Sequence, residues 1–199
     1  MKKAALGAFA LAFSMALPMA SRAAPESYTV DSTHTYAYFE VDHLGVSTQR
    51  GRFDRTSGKI TMDRAAKTGS VELNIEAGSV SSGDNVKGSR PRTLDDHLKT
   101  ADFFNAGEFP RVTFKSTGVK FAGDNPSEIA GSLTMLGVTK PVTLKVERWT
   151  CKDHPMNKKP MCGGNASGSV KRTDFGMKYG VPAIGDEVRL WFSVEAFKD

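Results

Sequence analysis

Ala37, Phe39 and Val41 alternate with Tyr38, Glu40 and Asp42, and His43 closes the apolar row. Side chains along a strand point alternately to opposite faces, so this row predicts a half-buried strand. It continues one begun at Tyr28 to Asp31. The same two-residue period recurs along the chain. Gly51 and Phe53 share parity, as do Gly58, Ile60 and Met62, with a bend expected at Thr56-Ser57-Gly58. Val71, Leu73, Ile75 and Ala77 form a row, followed by Val112, Phe114 and Ser116, then Ile129, Gly131, Leu133 and Met135. Val142, Leu144 and Val146 come next, then Ala166, Gly168 and Val170, and finally Val188, Leu190, Phe192, Val194 and Ala196. Gly, Pro, Asn and Asp punctuate the junctions. About eight strands with one apolar and one polar face predict an all-β antiparallel sandwich or barrel. A barrel removes exposed edges, and eight strands leave an interior that side chains nearly fill or that holds one small ligand.

Two segments break the period. Ser79 to Asn105 is too long for a hairpin turn, and Thr93 or Asp95 can cap a short helix through Leu98 and Lys99. Leu94 and Leu98 then share a face, Asp95-Asp96 reads as a solvated helix start, and Phe103 and Phe104 follow. Long structured connections often carry function. The second segment, Cys151 to Cys162, reads as a polar loop clamped by its cysteines.

The amino terminus changes the charge picture. Lys2 and Lys3 precede an uncharged run from Ala4 to Leu17, and Ser21-Arg22-Ala23 offers small residues at a cleavage site. The run of about 14 residues is too short to span a bilayer, so residues 1–23 are expected to be a removed secretory signal and 24–199 one domain. The expected location is periplasmic. The signal holds three of the 27 Lys+Arg and none of the 22 Asp+Glu, so the rest carries 24 basic against 22 acidic residues. No basic stripe stands out, which argues against a nucleic-acid partner.

Catalytic patterns are sparse. Gly164-Asn165-Ala166-Ser167-Gly168 places its serine one position late for a nucleophile elbow, and there is no glycine-rich phosphate loop and no H-E-x-x-H. The expectation is a binding protein without cofactor, not an enzyme. An even cysteine count in an oxidising compartment reads first as one disulfide, Cys151 to Cys162. The alternative is a metal-handling or redox site using those cysteines with His154, Met156 and Met161. His34 and His43 are nine residues apart and so point to opposite faces of one strand. An interior His43 is either a satisfied polar group or a contact to a ligand head. Phe39, Phe53, Phe114 and Phe192 lie on apolar faces of different strands and would pack a core or line a cavity. Gly51, Gly131 and Gly168 sit at inward parity, where a missing side chain leaves room or allows a bend.

Four stretches in register carry a resemblance: FEVDHLGVSTQRGRFDRTSGKI from Phe39, DDHLKTADFFNAGEFPRVTFKST from Asp95, GSLTMLGVTKPVTL from Gly131, and TDFGMKYGVPAIGDEVRLWFSVEA from Thr173. In order and spacing they resemble the YceI-like, polyisoprenoid-binding family of bacterial secreted proteins, over about Tyr28 to Phe197. The resemblance implies an eight-stranded antiparallel lipocalin-like barrel with a short helix in a long connection. It also implies a long apolar tunnel holding a polyisoprenoid or other long-chain amphiphile. Motif positions His43-Leu44-Gly45, Gly51-x-Phe53, His97-Leu98, Asp102-Phe103-Phe104, Phe109-Pro110 and Phe114 match the family pattern. Together with parity they make Phe39, Val41, His43, Phe53, Leu73, Ile75, His97, Leu98, Phe103, Phe104, Phe114, Met135 and Phe192 the candidate ligand contacts. His43, His97, Arg50, Arg52 and Lys99 are candidates for the head group. Transient membrane contact and a homodimer are both compatible with such a carrier.

Overall fold

The computed structural model describes residues 24–199; the expected signal segment, residues 1–23, lies outside the described residues. The alternating rows form β1 (Glu26–Val30), β2 (Tyr36–His43), β3 (Ser47–Phe53), β4 (Thr56–Asp63), β5 (Thr68–Glu76) and the two-residue β6 (Val80–Ser81). After the long connection come β7 (Arg111–Ala122), β8 (Asn125–Met135), β9 (Val138–Asp153), β10 (Pro160–Lys171) and β11 (Ile184–Lys198). All pairings are antiparallel.

These segments close an eight-place barrel, because three places are each filled by two segments. β1 and β2 share one edge of β11: Tyr28 to Val30 oppose Ala196 to Lys198, and Tyr36 to Val41 oppose Val188 to Ser193. β4 pairs with β1 and β3 with β2; β5 then pairs with β4 and β6 with β3. β11 closes the ring by pairing with β10 on its other side.

The breaks are satisfied locally, as buried backbone requires. Between β1 and β2 the buried Thr35 hydroxyl accepts from Glu195 N and donates to Glu195 O, both at 3.1 Å. One continuous strand across His34 is therefore not what forms, and His34 sits in the break, bonded through Nδ1 to Asp31 at 2.8 Å. The bend between β3 and β4 falls at Asp54-Arg55, two residues before the expected position. Asp54 N donates to Ser79 O there, and Arg55 N donates to Ser79 Oγ.

The helix α1 (Leu94–Leu98) is capped by Thr93, whose hydroxyl accepts from Asp96 N at 2.9 Å. Leu98 is buried, and Leu94 packs against the core on the same face. Asp95 departs from the solvated reading: it is buried, and one carboxylate oxygen accepts from Ser82 N and Ser82 Oγ, both at 2.6 Å. That pair ties the helix to the end of β6. Cys151 and Cys162 are joined, and they lie directly opposite one another within β9 and β10. The expected clamped loop is thus a hairpin extension whose turn begins only after Asp153.

Candidate functional site

One end of the barrel carries the β2–β3 turn, the segment between β10 and β11, and the long connection with α1. An apolar cavity of about 100 Å³ opens there. Its walls come from the inward rows: Phe39 and Val41 of β2, Phe53 of β3, Ile75 of β5, Val112 of β7, Leu133 and Met135 of β8, Val170 of β10, and Val188, Leu190 and Phe192 of β11. Leu98, Phe103 and Phe104 enter from the connection, and Met177 and Ile184 from the segment before β11. Phe39, Phe53 and Phe104 form a ring triad with centroid separations of 5.9, 5.8 and 5.0 Å, the last pair edge-on. Tilted and edge-to-face pairs add about 0.5–1.5 kcal/mol each beyond their burial.

A second apolar cavity, about 40 Å³, lies deeper in the bore. Ile60, Val71, Leu73, Phe114, Ile129, Leu144, Val146, Trp149, Ala166 and Val194 line it, with Phe192 again in its wall. In place of one long tunnel, the bore holds two cavities in series. Among the described residues, Phe192 is the only one lining both.

The inward glycines make room for neighbouring rings. A Cβ on Gly51 would stand 2.8 Å from Phe39 Cε1, and one on Gly131 would stand 2.6 Å from Phe114 Cε2. The outer end of each phenyl ring therefore occupies the space over bare backbone on the neighbouring strand. A Cβ on Gly168 would stand 2.9 Å from Leu144 Cδ2.

Of the candidate contacts, Phe39, Val41, Phe53, Ile75, Leu98, Phe103, Phe104, Met135 and Phe192 meet at the outer cavity, while Leu73 and Phe114 line the inner one. His43 and His97 line neither. His43 is half-buried at the end of β2, opposite Ser47 and Ile184. His97 is used in packing: Nε2 bonds Asp102 at 2.8 Å, and its ring meets Phe103 and Tyr179 edge-on at 4.9 and 5.0 Å. That explains the spacing of His97, Asp102, Phe103 and Phe104. Successive side chains diverge, so Phe103 seals against His97 while Phe104 joins the ring triad. Arg50 and Arg52 pair with Glu40 and Asp54 on the polar face.

Arg172 has no counterpart in the sequence-based expectations. It is 2 % exposed and, among the described residues, the only charged side chain in the outer cavity's lining. Its guanidinium donates to the carbonyls of Gly185, Met177, Tyr179 and Ile184 at 2.8 to 3.3 Å. Burial pushes its pKa down while Asp186 works against that, and a guanidinium keeps its proton regardless. Arg172 thus clamps the segment that forms one lip of the mouth. A charged residue between two strands reads as solvated, and its partners are backbone atoms with no sequence signature.

Around this lip, Leu44, Val46, Tyr179 and Val181 are exposed, and Leu44 N donates to Ala183 O at 2.7 Å, joining turn to lip. At the far end, both sulfurs of the cysteine pair are used in the disulfide. His154 Nδ1 accepts from the backbone N–H groups of Met156 and Asn157. Met156 is exposed and Met161 buried.

Many known proteins resemble this chain in sequence or in fold. A UPF0312 protein of Pseudomonas paraeruginosa is 36% identical over 192 residues, 95% of this chain and 96% of its own. Protein YceI of Escherichia coli is 36% identical over 198 residues, 98% of this chain and 97% of its own. Among solved structures, Burkholderia cenocepacia BcnA superposes with a TM-score of 0.64 at 23% identity, covering 83% of this chain and 98% of that one. A Saccharophagus degradans domain, described as polyisoprenoid binding and implicated in plant cell wall breakdown, superposes at 0.61 with 17% identity over 86% and 98%. These two likenesses concern the fold. The YceI-like domain model matches residues 28–196, from within the first strand of the ring to within the last, and the chain belongs to the YceI-like family.

Proposed function

We propose that this protein is a lipid-binding barrel that takes the apolar chain of a polyisoprenoid or similar amphiphile into the outer cavity and carries it in the periplasm. One observation carries the reading: an opening lined by hydrocarbon side chains from seven strands, with a single charged group held entirely by backbone. Such a lining suits apolar ligands, which gain about 25 cal/mol per Å² removed from water. The polyisoprenoid-binding description of the Saccharophagus degradans domain supports the ligand class. The disulfide supports an oxidising compartment. The residues offered to ligand are those of the outer cavity, Phe39, Val41, Phe53, Phe104, Met135 and Phe192 foremost. The chemistry is binding, without a catalytic group or cofactor.

The cavity is smaller than the roughly 300–1,000 Å³ of pockets that engulf a whole small ligand. Loading therefore requires Met135, Met177 and the Phe39–Phe53–Phe104 rings to turn aside. The exposed Leu44, Val46, Tyr179 and Val181 around the mouth support a lipid surface as the donor.

The test is organic extraction and mass spectrometry of protein purified from its own cells. We expect an extractable long-chain lipid. Val170→Phe, which fills the outer cavity from β10, is expected to abolish retention while the melting temperature stays within a few degrees. Protein that yields no lipid, and binds none added to it, refutes the reading.

A further inference from the structure

We propose that Phe192 is a partition that stops the bound chain at mid-barrel and so sets the length of chain this protein accepts. This rests on the lipid-binding reading above and adds a limit to it. The change from one cavity to the other can be located on strand after strand. On β5 it lies between Ile75 and Leu73, on β7 between Val112 and Phe114, and on β11 at Phe192 itself. On β8 it lies between Leu133 and Ile129, across Gly131, and on β10 between Val170 and Ala166, across Gly168; neither glycine carries a side chain into the bore. The Phe114 ring lies folded over Gly131 on the inner side. Phe114 and Leu144 cover the two glycines, and one phenyl ring, that of Phe192, 4 % exposed and paired with the small Ala166 and Ala37 on the strands to either side, stands in the walls of both cavities.

Removing that ring would join the cavities. The inner one follows β9 from Leu144 to Trp149, roughly 16 Å of strand or about 12 Å along the axis at the usual barrel tilt. A chain reaching the partition gains nothing from further length, because each added methylene stays outside. A chain passing it gains about fourfold in affinity per buried methylene.

The experiment titrates delipidated protein with linear prenyl alcohols of increasing length, and separately with chains brominated at the tail. Trp149 lines the inner cavity, so its fluorescence is quenched when a brominated tail arrives there; Trp191→Phe removes the other indole. The expected result is an affinity that climbs with length and then levels, with Trp149 unquenched. In Phe192→Ala the levelling moves to chains longer by about 12 Å of reach, and Trp149 is quenched. Ala166→Leu, which fills only the inner cavity, leaves the wild-type levelling point unchanged. Quenching of Trp149 in the protein with Phe192 intact, or an Ala166→Leu variant that prefers shorter chains, overturns the partition. Both measurements stand even where Phe192→Ala does not fold. A levelling point shared by the intact protein and a folded Phe192→Ala overturns it too, while leaving lipid binding intact. Failure of every alcohol to bind the intact protein removes the lipid-binding reading itself, and the partition with it.

Discussion

Glycines at inward parity look like vacancies, yet Gly51 and Gly131 are covered by the rings of Phe39 and Phe114. At Gly131 an added methyl would meet the ring and also Lys115 O at 2.7 Å. The ring can turn but the backbone cannot, so Gly131→Ala is expected to destabilise by about 1–3 kcal/mol in urea unfolding. The displaced ring should also close the inner cavity. Arg172 is the opposite case, a residue whose surroundings contradict its type. Arg172→Met would leave four carbonyls without their donor, for a loss of about 2–4 kcal/mol. Hydrogen exchange should show the opening concentrated between Met177 and Gly185. Uniform loosening of the whole barrel would contradict the clamp. Phe114, 1 % exposed, is a poor place to probe ligand contact with a charge, since an unpaired buried carboxylate would unfold the core first.

At the scale of elements, the β2–β3 hairpin turns through Leu44 and Gly45, both at φ 64°. Two left-handed central residues match the twist of a hairpin, and Asn, Asp and Gly are the residues that adopt them readily. Leu44 is 58 % exposed and gains no burial to offset the conformation. Leu44→Asn is therefore expected to stabilise the protein by about 1 kcal/mol, read as a raised denaturation midpoint. If Leu44 contacts a lipid surface, the same variant should bind anionic vesicles less well while keeping its affinity for a soluble prenyl alcohol. The strands themselves were legible because period-2 alternation is local. The interruption at Asp31–Thr35 was not, and the bend at Asp54-Arg55 was legible only to within two residues. They depend on bonds to Glu195 and Ser79, which lie far along the chain.

At the scale of the whole molecule, the barrel has an end where the outer cavity opens and a stapled end. The disulfide joins β9 to β10 beside Arg64, which also bonds Glu26 of β1 at 3.0 Å. The mouth, Arg172 and α1 lie at the other end. Replacing both cysteines with serine is expected to cost about 2–3 kcal/mol through the freed unfolded chain. Ligand retention and chain-length preference should remain as in the parent. Loss of binding in that variant at a temperature where it is folded would mean that the two ends are coupled.

The sequence by itself determined the alternating strands, most of their inward residues, a short helix with Thr93 or Asp95 as its cap and, through its motifs, the family. Each of these is written in neighbouring residues or in an ordered string of them. Only the tertiary structure decided that Phe192 lines both cavities, that Arg172 is buried under its own loop, and that His43 and His97 stay outside the cavity. Those outcomes depend on the stagger between strands when the sheet closes. Closure brings together residues more than a hundred positions apart, and no local period records which of them will share a level.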